Sequence, residues 1–81
     1  MVFLALTSGG LQDALQLRGP LLAIWCGANV ISAEEYKLRA VPGLTRFDYS
    51  PRASDGDSIA RAIDTIEQHH PGETVWVEGA P

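Results

Sequence analysis

The strongest constraint on this chain is a change of hydrophobic period near its start. Val2, Phe3, Leu4, Ala5 and Leu6 form an unbroken apolar run that stops at Thr7-Ser8-Gly9-Gly10, after which Leu11, Ala14 and Leu15 fall on one face of a helix. A short apolar run suits a strand, the glycine pair a turn, and the later spacing a helix. The segment therefore opens a strand-helix-strand unit, and polar loops at the strand ends of such units are where ligands usually sit.

The remaining punctuation extends this pattern. The first helix is expected from about Gly10 to Leu17, with Thr7 or Ser8 as its cap, Arg18 near its negative end and Gly19-Pro20 as its stop. Leu21 to Cys26 is continuously apolar, as in a strand covered on both faces, and Gly27-Ala28-Asn29 breaks it. Ser32 and Glu35 have capping-box spacing, and Ile31 and Tyr36 stand where a hydrophobic staple closes. That helix should end near Arg39 or Ala40, ahead of Pro42 and Gly43.

Leu44 to Tyr49 alternates, with Thr45, Phe47 and Tyr49 on one face and Leu44, Arg46 and Asp48 on the other, the pattern of an edge strand. Ser50 to Gly56 is loop chemistry, and Asp55 or Asp57 can cap the third helix. In that helix Ile59, Ala62, Ile63 and Ile66 form the clearest helical stripe in the chain, with Asp57 and Arg61 one turn apart at its start. Pro71-Gly72 ends it, and Thr74 to Val77 reads as a closing strand.

Alternating strands and helices predict an α/β fold in β-α-β-α-β-α-β order. The sheet would be small, mostly parallel and four-stranded, with right-handed crossovers and helices packed on it, in a single domain over residues 1–81. Strand order is not readable from these patterns. The loops at the carboxyl ends of the strands would be Thr7 to Gly10, Gly27 to Asn29, Ser50 to Gly56 and the C-terminus.

Composition narrows the partners. A chain of 81 residues with 46% hydrophobic and 20% charged residues reads as globular, and at this size a core buries only about 60% of the unfolded surface, so partner surface can matter. A net charge of -4 argues against nucleic acid or an anionic membrane. No apolar run reaches the ~20 residues of a membrane span. The apolar start lacks a basic leader region, and the lone Cys26 cannot form an internal disulfide, so a cytoplasmic location is expected.

Few residues suggest chemistry. Thr7, Ser8, Gly9 and Gly10 could offer N–H groups and hydroxyls to an anion, but they lack a full dinucleotide or phosphate-loop fingerprint, which leaves a plain turn and cap as the simpler reading. Cys26 has no cation nearby in sequence and reads as an inert core thiol. His69 and His70 are adjacent on a helix and point about 100° apart, so they suit a helix end better than a metal. Asp48, Asp55 and Asp57 lack the ligand ladder of a calcium loop, and capping explains them. Trp25 and Trp76, on different strands, belong either in the core or on an uncovered sheet face.

Leu6-Thr7-Ser8-Gly9-Gly10, followed by Ala14 and Leu17, resembles the opening of the CbiG family of cobalt-precorrin hydrolases from cobalamin biosynthesis. Phe47-Asp48-Tyr49-Ser50 and Val75-Trp76-Val77-Glu78-Gly79-Ala80 are similar to two later segments of that family's first small domain. The resemblance implies a related fold and a small-molecule or accessory role. It does not carry over the lactone-opening hydrolysis: Pro81 stands where the family continues into Thr-Gly, and Tyr49 replaces a glycine.

With no acid-base pair, no nucleophile with a base in reach, and no cofactor or metal motif, the expectation is a non-catalytic binding or protein-interaction module. Self-association into a homo-oligomer is suggested because a sheet has two edges and three helices must cover two faces. A larger protein partner is the related option. The alternative is a small enzyme or carrier that holds an anion, nucleotide or corrinoid on Thr7, Ser8, Gly9, Gly10, Cys26, Asn29 and Ser50.

Overall fold

The computed structural model describes residues 1–17 and 23–79. The elements come in the expected order: β1 (Val2–Ala5), α1 (Ser8–Gln16), β2 (Ala23–Cys26), α2 (Ala33–Arg39), β3 (Leu44–Arg46), α3 (Gly56–His69) and β4 (Val75–Val77). The strands form one sheet in the order β3-β2-β1-β4, and every pairing is parallel.

Strand order fixes the layers. The chain steps outward from β1 to β2 to β3, so right-handed crossovers place α1 and α2 on one face; its return from β3 to β4 places α3 on the other. Side chains sort accordingly. Val2, Leu4, Ala23, Trp25 and Phe47 pack with Ala62 and Ile66 of α3. Ala5, Ile24, Cys26 and Leu44 pack with Leu11 and Ala14 of α1, with Tyr36 of α2 against them. The period-two alternation of each strand thus feeds two separate cores.

The caps act as the sequence suggests. Thr7 takes the first cap: its hydroxyl accepts the Gly10 N–H at 3.1 Å. Helix α1 therefore starts at Ser8 rather than Gly10, because the cap draws the whole Ser-Gly-Gly turn into helical geometry. Ser32 accepts the Glu35 N–H at 3.0 Å, and Ile31 and Tyr36 meet in the same apolar cluster. Ala40 closes α2 in the left-handed region at φ 46°, and Gly43, at φ 79°, turns the chain into β3. Asp55 caps α3 through the N–H groups of Asp57 and Ser58.

Three further expectations need correcting. Strand β3 stops at Arg46 instead of running to Tyr49: Phe47 donates to Cys26 O at 2.8 Å, and the chain then bends so that Ala28 donates to Tyr49 O at 2.9 Å. Phe47 and Tyr49 enter the α3-side core from that bend, with ring centroids 5.1 Å apart. Strand β4 is likewise one residue shorter than expected and starts at Val75. Arg61 lies over the Tyr49 ring, 4.7 Å from its centroid, rather than pairing with Asp57. The expectations at Arg18, Gly19-Pro20 and Leu21-Leu22, and those at Ala80 and Pro81, lie outside the described residues.

Candidate functional site

Two places stand out, both created by the position of β4. The first is the crevice outside the carboxyl ends of β1 and β4. At that rim the loop leaving β1 leads to α1 over one face of the sheet and the loop leaving β3 leads to α3 over the other, so the two connections part there and leave a gap. The gap measures about 300 Å³ and is lined by Leu6, Thr7, Asn29, Pro51, Arg52 and Glu78, with Ala53 and Gly79 beside them.

Glu78 dominates this crevice. One carboxylate oxygen accepts the N–H of Leu6 at 2.7 Å and of Thr7 at 2.9 Å; the other accepts the Thr7 hydroxyl at 2.6 Å. The carboxylate lies so close over α1 that a Cβ on Gly10 would meet Glu78 side-chain atoms at 2.0, 2.2 and 2.7 Å. Gly10 therefore keeps space for Glu78. The segments around Thr7 and Glu78, seventy-one positions apart in the chain, meet in this contact. Asn29 closes another side by donating to Leu6 O at 3.3 Å.

The expected loop residues are only partly gathered here. Thr7 and Asn29 line the crevice and Gly10 lies beneath Glu78. Ser8 and Gly9 face solvent in the first turn of α1. Ser50 is half-buried against Gly27, its Cα 3.5 Å from where a Cβ would stand. Cys26 is fully buried in the α1-side core. Burial pushes its thiol from 9.0 up to about 11, although Arg46, its register partner on β3, pulls the other way. That cation is twenty positions distant in sequence but adjacent in the sheet. Its guanidinium is tied to Ile31 O at 2.8 Å and Ala28 O at 3.1 Å. A thiol held protonated in this way is a poor nucleophile at neutral pH.

The two histidines serve structure. Trp25 Nε1 donates to His70 Nε2 at 3.3 Å, and His69 Nδ1 lies 3.0 Å from Thr65 O. Among the described residues no group of three or more His, Cys, Asp or Glu side chains stands close enough to hold a metal ion. No helix among them is long and apolar enough to cross a membrane.

The second place is the outer edge of β4. The ladder bonds Val2 N–H to Thr74 O and Glu78 N–H to Leu4 O, both 2.9 Å, show which way the strand faces. By the two-residue period Trp76 also turns its backbone toward β1, and Val75 and Val77 turn theirs outward. Trp76 lies beside Phe3 in register, on the α1 face of the sheet, and is 54% exposed. Trp25 meanwhile is buried against Phe47 at 5.0 Å. The two tryptophans thus take the two fates that the sequence leaves open.

Sequence reasoning passes over Glu78 and Arg52 as site residues and leaves Trp76 between the core and an uncovered face. Glu78 has a signal, being the acidic residue that succeeds the last apolar strand. Arg52 has none, because its surroundings depend on where β4 docks. No family model, curated protein or solved structure matches this chain.

Proposed function

We propose that this protein is a non-catalytic interaction module, cytoplasmic, that pairs with a second copy of itself through β4. The observation that carries the reading is an edge strand, unguarded among the described residues, with an exposed tryptophan at its centre. Edge strands are commonly guarded by charge, proline or a bulge. Strand β3 carries Arg46, whereas β4 consists of Val75, Trp76 and Val77 with no charge at all.

The edge is also self-complementary. A twofold axis through Trp76 sets Val75 opposite Val77 of the other copy, and outward-facing residues set opposite each other exchange two backbone hydrogen bonds per pair. Two such pairs give about four bonds. Trp76 then meets its own copy at a non-hydrogen-bonded position, where side chains approach most closely.

The magnitudes describe a weak dimer. An aromatic side chain presents about 150–250 Å², so the exposed part of Trp76 comes to roughly 100 Å² per copy. Covering both at about 25 cal/mol/Å² contributes about 5 kcal/mol. Four backbone bonds add about 4 kcal/mol. Taken at the low end of its range, association costs about 4 kcal/mol, which leaves about 5 kcal/mol and a Kd on the order of 0.1 mM.

Sedimentation equilibrium across a dilution series tests this. Apparent mass should fall with dilution in the wild type and stay monomeric in Trp76→Lys, which exposes no core, and in Val75→Pro, which removes an outward N–H without touching the bonds to β1. A wild type monomeric up to about 1 mM, or variants that associate as the wild type does, would refute the reading.

A further inference from the structure

We propose that the crevice at the ends of β1 and β4 binds a small zwitterion, one ammonium and one carboxylate on a short apolar body, the class of free α-amino acids. This stands apart from the pairing of β4, since the crevice lies beyond the strand's end and its residues are not those of the outer edge.

The crevice is most selective in what it refuses. Three donors of the β1–α1 turn that a phosphate or nucleotide would use are already taken by Glu78: Leu6 N–H, Thr7 N–H and the Thr7 hydroxyl all point at its carboxylate. An anion entering here meets a resident negative charge where those donors would otherwise stand free. The volume of about 300 Å³ is at the small end for ligand sites and too little for a dinucleotide.

What remains unsatisfied defines the ligand. Glu78 receives its hydrogen bonds from neutral donors and has no ion-pair partner among the described residues. Its Oε1 accepts two bonds, but Oε2 accepts only the Thr7 hydroxyl and keeps a lone pair free. An ammonium fits that position with charge assistance. Arg52 lines the same crevice; its backbone N–H is bound by Ser58, and its guanidinium has no ion-pair partner among the described residues. A guanidinium offers a fork of donors matched to a carboxylate. Leu6, Pro51 and Ala53 add apolar lining to the same crevice.

The experiment is an amide NMR titration of the whole protein with L-leucine, with isopentylamine and 4-methylpentanoate as analogues lacking one charged end each, and with inorganic phosphate. L-leucine should shift the amides of Leu6, Thr7, Asn29 and Gly79, and each one-ended analogue should bind about tenfold or more weakly. Glu78→Gln keeps an oxygen for the two N–H donors but loses the charge, and Arg52→Gln changes only an exposed side chain. Both should weaken L-leucine by about tenfold or more while leaving the rest of the spectrum in place. No shift at about 10 mM L-leucine, equal binding by the variants, or phosphate moving the same amides would each overturn the proposal.

Discussion

Gly10 and Glu78 make a prediction whose sign depends on their contact. Ala is the better helix former, by about 1 kcal/mol in a helix interior, so Gly10→Ala should stabilise a helix that merely needed a good residue. Here the new Cβ would fall 2.0 Å from a Glu78 oxygen. The carboxylate is the end of a flexible chain and can swing away, but it then gives up its bonds to Leu6 N–H, Thr7 N–H and the Thr7 hydroxyl. At about 1 kcal/mol each, discounted for exposure, those bonds contribute about 3 kcal/mol. Gly10→Ala alone should therefore destabilise by about 2 kcal/mol, the lost bonds less the helix gain. In a Glu78→Ala background, which has already lost them, it should stabilise by about 0.5–1 kcal/mol. The coupling energy is then about 3 kcal/mol, well beyond the scatter of independent sites. Urea unfolding of the four proteins in this cycle measures it. The same sign for Gly10→Ala in both backgrounds would refute the argument.

Three further tests concern the core and its polar contacts. Because burial raises the Cys26 thiol from 9.0 to about 11, the folded state holds this proton more tightly. Its contribution is full below pH 9 and is lost as pH rises to about 11, roughly 2–3 kcal/mol in all. Wild type minus Cys26→Ala, by urea melts between those pH values, should show this fall; a flat difference would contradict it. His70→Ala leaves the Trp25 indole N–H without its acceptor and should cost about 1–2 kcal/mol. Faster hydrogen exchange at the Trp25 indole, with that of Trp76 unchanged, is the accompanying signature. Ile66 is fully buried against the sheet, whereas Leu38 is 84% exposed; truncation to Ala should cost about 2–5 kcal/mol at the first and under about 0.5 kcal/mol at the second.

Where structure and sequence pattern part, the cause is an interaction across the chain. The alternation at Leu44, Phe47 and Tyr49 persists through a bend beyond the end of β3, because an alternating pattern reports which side a residue faces, not whether its backbone is paired. Helical spacing sets Arg61 beside Asp57, yet Tyr49 from the preceding loop offers it a ring face. Cys26 lacks a neighbouring cation in sequence and acquires Arg46 through strand pairing. Of the expected site residues Thr7 and Asn29 line the crevice, whereas from the third expected loop it is Pro51, Arg52 and Ala53 that do so in place of Ser50.

Local physics settled the elements themselves. Hydrophobic period, the Thr7, Ser32 and Asp55 caps and the glycine and proline stops act within a few residues, so the order of strands and helices, the α/β class and most of the core were written into neighbouring positions. Docking of β4 beside β1 was decided only in three dimensions, where contacts between residues seventy-two positions apart depend on the packing of every layer between them. That one placement laid Glu78 over Gly10, left Trp76 outside while Trp25 went in, and opened the crevice. Sequence spacing carries no information about which distant strand becomes a neighbour.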